Sequence, residues 1–237
     1  MAEIGQHFTA HYGQYLASLE GPNRILYQNI KETMDPYIEG DVLDLGNGGI
    51  FTYDPQRARD ILAVDICFTE DTALFKKIPN VTYQYGNAMS LEEVTHKSFD
   101  VMIIQFLFHH TAEEGFKKVL GNGKKVISNA LKVLRPGGKL IIVEQGIPRI
   151  MEFCERAFYG LACFVLKLLN LPPVYIYSKK TLLKLLKEGG FENMRYKIIS
   201  CGKKLDLLAT LKPNKFVVPR WPFFYFKVYF ILAEKRG

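Results

Sequence analysis

Along its first 145 residues the chain alternates short apolar runs with polar segments of helical spacing. Val42, Leu43 and Leu45 form the first run, and Ile61-Leu62-Ala63-Val64 the second. Val81 to Tyr85, Phe99 to about Phe106, and Lys139 to Glu144 follow. Each suits a strand of a buried sheet, covered on both faces. Strands are therefore predicted over 41–45, 61–66, 81–85, 99–106 and 139–144. Between them, Arg24 to Ile38 sets Ile25, Leu26, Ile30, Met34 and Tyr37 close to helical spacing, after a turn at Gly21-Pro22-Asn23. Thr69 to Lys77 predicts a short helix capped by Thr69, with Glu70 and Asp71 in its first turn. One helix is predicted from about Glu113 and another over Lys124 to Leu134. Arg135-Pro136-Gly137-Gly138 stops it, because proline cannot continue a helix and two glycines permit a reversal. Strands alternating with helices imply right-handed crossovers and a mostly parallel, doubly wound sheet.

The second half is patterned differently. Ile150 to Leu171 is apolar, with Glu152, Glu155, Arg156 and Lys167 as its only charges. Its uncharged run, Ala157 to Leu166, is ten residues and too short to span a bilayer. Phe153, Ala157, Gly160, Leu161, Phe164 and Leu168 leave a wide apolar face at helical spacing. Three readings stand: a cap helix packed on the core, a lid over an apolar pocket, or an interfacial membrane helix. Leu171-Pro172-Pro173 ends the segment, and Ser178 can cap a helix over Lys179 to Lys187. Gly189-Gly190-Phe191 then leads to a strand over Met194 to Cys201. The tail FKVYFILAEKRG reads as the last strand, after an aromatic loop from Pro219 to Tyr225. The chain thus reads as a single domain over 1–237, with an N-terminal helical segment at 1–40 and an inserted cap at about 146–178.

A length of 237 residues suits one α/β domain, and 48% hydrophobic with 23% charged residues fits an ordinary globular protein. The start, MAEIGQHFTAHYGQYL, lacks a basic region followed by an apolar block, so no signal peptide is expected. Cys67, Cys154, Cys163 and Cys201 are irregularly spaced, which argues against a zinc site or disulfide framework and for a reducing cytoplasm. The net charge of +7 is spread over lysine pairs rather than a run. Solvated helix ends are favoured over a nucleic-acid groove.

Ligands on doubly wound sheets bind beyond the carboxyl ends of the strands. Asp44, Asp65, Asn87, Gln105, His109 and Glu144 all fall at or just past those ends. Asp44 is followed by Gly46-Asn47-Gly48, a turn that lets backbone approach a ligand closely. Asp65 ends the second strand 21 residues later, placed to accept from a ribose diol. A dinucleotide fingerprint is excluded twice over. Position 51 is Phe where a third glycine is needed, and an acid two residues before Gly46 would repel a pyrophosphate.

The D-x-G-x-G string with Asp65 resembles motif I and its acidic successor in class I S-adenosylmethionine (SAM) methyltransferases. Arg135-Pro136-Gly137-Gly138-Lys139-Leu140 looks like that family's post-helix turn, and FDVMIIQFLFHHTAEE like its fourth strand and following loop. Helix, G-G-F and strand recur there too, and the resemblance covers about residues 8–145 in the expected order. It implies a Rossmann-like fold with a seven-stranded, mostly parallel sheet, an antiparallel last strand and a helical cap. SAM is the implied cofactor, held by Asp44, Gly46, Asn47, Gly48, Asp65, Ile66, Asn87, Ala88, Gln105 and Tyr12. One departure stands out. Only about a dozen residues separate Gly48 from the second strand, so the helix facing the SAM carboxylate is cut to a turn or two near Asp54.

Similar small-molecule O-methyltransferases carry a histidine base where His109 stands, and His110 is its neighbour. Tyr12 and Tyr15 could close over the methyl group. The implied acceptor is a small, rather apolar molecule (aromatic, quinone-like or isoprenoid-derived) methylated at O, C or N. Phe153, Phe158, Phe164 and the C-terminal aromatics are expected to roof its pocket. His7, His11 and His96 have no ligand spacing, so no metal site is expected. An RNA methyltransferase and an inactive methyltransferase-like binding protein are the alternatives. A cytoplasmic enzyme is expected, free or in peripheral contact with a membrane.

Overall fold

The computed structural model describes residues 23–68, 77–113, 115–168, 172–201, 204–206, 217–219 and 227–237, with the single positions 13, 17, 20 and 21 before them. Its strands are β1 (Asp41–Leu45), β2 (Asp60–Asp65), β3 (Val81–Tyr85), β4 (Phe99–Gln105), β5 (Leu134–Gly146), β6 (Phe191–Ile199), β7 (Lys204–Asp206), β8 (Val217–Pro219) and β9 (Lys227–Lys235). The helices are α1 (Arg24–Met34), α2 (Phe116–Val133), α3 (Arg149–Leu168) and α4 (Lys179–Glu188).

Seven strands make one sheet in the order β3-β2-β1-β4-β5-β9-β6, and β7 pairs with β8 apart from it. The pairs β2–β3, β1–β2, β1–β4 and β4–β5 are parallel, whereas β9 runs antiparallel to both β5 and β6. This is the Rossmann-like architecture with its last strand reversed. Strand order changes direction between β1 and β4, which opens a crevice at their carboxyl ends.

Alternate residues of each strand feed two cores. Leu43, Leu45, Val64, Met102, Ile104 and Ile142 face α2 and α4, which add Val126, Ile127 and Leu186. Val42, Ile61, Val101, Ile103 and Val143 face α1, which adds Leu26, Ile30 and Met34. Both faces are covered, so the central strands carry apolar residues on successive positions.

Three local expectations are corrected. The helices predicted around Glu113 and Lys124 are one helix, α2, of 18 residues. Its buried stripe of Val119, Gly123, Val126, Ala130 and Val133 keeps helical spacing straight through Gly121-Asn122-Gly123. Packing overrides the weak propensity of those residues. Second, the Arg135–Gly138 turn lies within β5 as an irregularity, where pairing with β4 jumps from Phe99–Leu134 to Val101–Lys139. Third, β6 begins at Phe191, because Gly189-Gly190 leads directly into the sheet. The predicted 69–77 helix and 219–225 loop fall almost wholly outside the described residues.

Arg135 of that irregularity ties the amino ends of two strands together. It reaches Asp41 of β1 at 2.8 Å and Asp100 of β4 at 2.6 Å. Arg59 adds a second guanidinium on Asp41, at 2.8 and 2.5 Å, and the Asp41 backbone N–H donates to Asp100 at 2.8 Å. Hydrogen bonds from Arg59 and then Arg135 hold the Asp41 carboxyl down at about 2.

A depressed native pKa gives stability that is present above the unfolded value and is lost as pH falls through the folded one. Asp41 therefore contributes fully above about pH 4 and progressively less down to about pH 2. Urea titrations of Asp41→Asn across that window should show a shallower acid loss than the unaltered chain. Identical slopes would refute the assignment.

Candidate functional site

β1 leaves the sheet into Gly46-Asn47-Gly48, and the backbone there needs glycine. Gly46 and Gly48 hold φ of +75° and +58°, which side chains disfavour. The Gly46 N–H donates to the Val64 carbonyl at 2.8 Å, tying the turn to β2. A Cβ at Gly46 would meet Leu107 Cδ1 at 3.0 Å. The loop after β4 is thus seated against this glycine.

Two acids stand beneath the turn. Asp44 is buried in β1, opposite Ala63 and Ile103 in the flanking strands. Its Oδ2 accepts from the Tyr53 hydroxyl at 2.8 Å and from Asn47 Nδ2 at 2.6 Å. Burial pushes the carboxyl up to about 7, against those two hydrogen bonds and with help from the Asp65 charge. Asp65, ending β2, accepts from the Gly48 N–H and the Cys67 N–H, each at 2.9 Å. Its pKa is also raised, chiefly by burial. The amide oxygen of Asn47 is buried with no hydrogen-bond partner among the described residues. The site therefore holds acceptors and negative charge in excess of donors, a preference for a cationic or donor-rich ligand.

A cleft runs along these strand ends. Gly46, Asp65, Ile66, Asn87, Ala88 and His110 line it. Asn87 Oδ1 accepts from the Met89 N–H at 2.9 Å, which fixes the loop after β3. Asn129 of α2 holds the Ala88 carbonyl from behind at 3.1 Å. The short helix expected near Asp54 is a 3-10 turn, Pro55–Arg57, with the Asp54 side chain accepting from the Gln56 N–H.

The loop after β4 is tightly turned. Phe106 adopts φ of +49°, a strained value for a non-glycine residue. Phe108–Thr111 then form a 3-10 turn rather than extended chain. Neighbouring side chains of an extended chain would point to opposite faces, and in this turn that alternation does not operate. His110 lines the cleft with its Nδ1 buried and unpartnered among the described residues. Burial, with the neighbouring His109, pushes its pKa well down, so it is neutral. His109 lies behind it, the two rings 4.0 Å apart. Its Nδ1 meets Glu144 Oε1 at 2.8 Å, and the same carboxylate accepts from the N–H groups of Phe108 and Gln145 at 2.8 and 3.0 Å.

Other candidates lie apart from the cleft. Gln105 hydrogen-bonds Thr52 on the far side of the glycine turn. Beside it, Arg24, Tyr27, Ile50, Phe51 and Thr52 line an open groove, and Tyr27 meets Phe106 edge-on at 6.2 Å. Phe153, Phe158 and Phe164 do not roof the cleft; they are exposed on α3, whose inward side carries Glu152 and Tyr159. Tyr12, Tyr15, His7 and His11 lie outside the described residues. Tyr53 and the partnership of Glu144 with His109 were not anticipated, since neither follows from spacing. Among the described residues no group of three His, Cys, Asp or Glu side chains is placed to hold a metal ion.

Comparison with known proteins agrees with this geometry. The family model described as "Methyltransferase domain" matches residues 43–142. A demethylmenaquinone methyltransferase of Paenarthrobacter aurescens (strain TC1) is 24% identical over 200 residues, 77% of this chain and 74% of that protein. The ubiquinone/menaquinone biosynthesis C-methyltransferase UbiE of Wigglesworthia glossinidia brevipalpis is 31% identical over 140 residues, 53% of this chain and 51% of that one. Among solved structures, the N-methyltransferase NodS of Bradyrhizobium japonicum WM9, in complex with S-adenosyl-L-homocysteine, superposes with a TM-score of 0.55 at 10% identity. That match covers 90% of this chain and 86% of the other. The YcgJ protein of Bacillus gives 0.59 at 16% identity, over 90% and 98%. At such identities the structures attest the fold.

The seat of the glycine turn is directly testable. Gly46→Ala places a Cβ at positive φ against Leu107 and should cost about 1–3 kcal/mol of stability. Urea denaturation reads the loss. An equally stable variant would mean that the turn tolerates an ordinary residue.

Proposed function

We infer the roles of the site residues and the acceptor from one premise: the chain belongs to the class I SAM-dependent methyltransferase family, is such an enzyme, and takes SAM as cofactor. When bound, SAM supplies a methyl group already activated by a sulfonium. The residues present fit it: its ribose hydroxyls can donate to Asp65 in the cleft, its amino group to the acceptors of the adjoining glycine turn, and its adenine finds the apolar wall of Leu45, Val64, Ile66 and Met89. The reading assigns Gly46, Asn47 and Gly48, with Asp44 beneath them, to the amino-acid end, where the unpartnered Asn47 oxygen supports it. It assigns Asp65 to the ribose diol, its carboxylate being held in place by the Gly48 and Cys67 N–H groups. Ile66, Asn87 and Ala88 would flank the adenine. Tyr12 and Tyr15 are proposed to close over the methyl group, and Gln105 to contact the cofactor from its place beside Thr52. The observation that carries the reading is the convergence of Gly46, Asp65, Ile66, Asn87 and Ala88, from three strand ends, on one cleft.

The acceptor we propose is a small, apolar molecule of quinone-like or other aromatic or isoprenoid-derived type, methylated by an enzyme of the cytoplasm. Support comes from the quinone-pathway relatives and from the apolar wall of Tyr27, Ile50 and Phe51 in a groove beside the glycine turn that also carries Glu20, Arg24, Gln28 and Lys31. Such a transfer needs orientation above all. Where the acceptor must lose a proton, the base is proposed to come from the histidine pair: the resemblance points to His109, and His110 is the one that lines the cleft. Glu144 accepts a hydrogen bond from the Nδ1–H of His109 and leaves its Nε2 as the acceptor nitrogen. The whole chain, 1–237, is proposed to act as one domain, with 146–178 as an attached helical cap.

Asp44 makes the cofactor assignment testable by pH. Its carboxyl rests at about 7 in the free protein, and a cationic ligand favours the ionised form. SAM affinity should therefore be level above about pH 7 and weaken by up to about tenfold per unit below it. Calorimetry should find that Asp44→Asn binds more weakly and loses this slope. A slope unchanged in the variant would remove Asp44 from the site.

The two histidines separate in kinetics. With a phenolic or quinol acceptor, His109→Ala should lower kcat by roughly 10²–10⁴ while SAM binding is kept. His110→Ala should weaken SAM binding and leave most of kcat. Full turnover in His109→Ala would leave catalysis to proximity alone.

A further inference from the structure

The orientation of α3 is inverted relative to an ordinary surface helix. Its acids point inward: Glu152 accepts from the Thr181 and Tyr175 hydroxyls at 2.7 and 3.3 Å, and Glu155 from the Ile176 N–H at 3.0 Å. Tyr159 is buried beside them and donates to the Glu113 carbonyl at 3.1 Å. The helix is thus fastened through its polar side. Ile150, Phe153, Phe158, Leu161, Phe164 and Leu168 are left 59–75% exposed on the opposite side. On a helix of 20 residues, about 30 Å long, they form a continuous outer face that carries no acid. A monomer in water seldom keeps such a patch uncovered.

The charges beside this face have one sign in excess. A groove between α2, α3 and α4 gathers Lys124, Arg149, Arg156, Lys180 and Lys184. Its acids are Glu152, which is buried, and Glu188, which pairs with Lys124 at 3.3 Å and Lys184 at 3.6 Å. Arg156 lies over the Phe116 ring at 4.6 Å, at the edge where the basic groove meets the helix. No helix among the described residues is long and apolar enough to cross a membrane. An apolar helical face bordered by a basic groove is the arrangement of a helix that lies in a bilayer interface, side chains among the acyl chains and cations at the phosphates.

We propose that α3 docks this protein on an anionic phospholipid surface, its outer face in the bilayer interface and the basic groove against the lipid phosphates. The proposal does not rest on the methyl-transfer reading, although it would bring that site to acceptors dissolved in the bilayer. Co-sedimentation of the full chain with vesicles tests it. Binding is expected to equal parts of phosphatidylglycerol and phosphatidylcholine, to fall on addition of salt, and to be much weaker to phosphatidylcholine alone. The triple variant Phe158→Ser, Leu161→Ser, Phe164→Ser changes exposed positions only. It should lose about tenfold or more of vesicle affinity while its thermal unfolding and SAM binding stay unchanged. Lys180→Glu, in the groove, should weaken binding to the anionic vesicles alone. Three outcomes overturn the proposal: no sedimentation of the unaltered chain, equal binding to both vesicle types, or undiminished binding of the triple variant. A chain that ignores vesicles but dimerises through α3, the variant being monomeric, would assign the face to a second copy instead. SAM binding without vesicle binding would reject this docking and keep the enzyme reading; the converse would reject only the latter.

Discussion

The site depends on β1 being hydrogen-bonded on both edges, to β2 on one side and β4 on the other. That pairing sets Asp44 level with Ala63 and Ile103, and so fixes how far each neighbouring strand runs before it ends. Asp65 then reaches under the glycine turn, and Leu107 comes to rest on Gly46. Because β4 and β2 leave β1 in opposite directions across the sheet, no helix among the described residues fills the space at their carboxyl ends. The cleft is what parallel pairing leaves open at a reversal of strand order.

Charge is arranged at both ends of these strands, to opposite effect. At the amino ends, Asp41 and Asp100 meet Arg59 and Arg135, and the pairs hold the Asp41 carboxyl ionised. At the carboxyl ends, Asp44 and Asp65 have only neutral donors, and burial makes ionisation costly. The first set is satisfied by the fold and serves it. The second is incomplete without something positive or rich in donors. A third acid, Glu144, is buried more deeply but meets three N–H groups, one of them from His109. Its task is internal: it fixes a strained loop and one histidine tautomer.

Much of the fold and part of the site were legible in the order of residues. Strands buried on both faces read as apolar runs, and the acids and glycines that end them are local signals, because a chain leaving a buried sheet needs polar groups and turn formers at that point. Asp44, Gly46, Asp65 and Asn87 could be picked out for that reason, and the reversed last strand followed from the resemblance. What tertiary structure alone decided are the pairings across separate elements. Glu144 reaches His109 because β4 and β5 end side by side, and Tyr53 reaches Asp44 because the loop after β1 folds back on the end of its own strand. A single 3-10 turn, worth no more than a few dihedral angles, brought His110 rather than His109 to the cleft. The same holds for α3. Its periodicity announces two unlike faces, but periodicity carries no sign, and only the donors on Tyr175, Thr181 and Ile176 turn the acids inward and leave the apolar face outside.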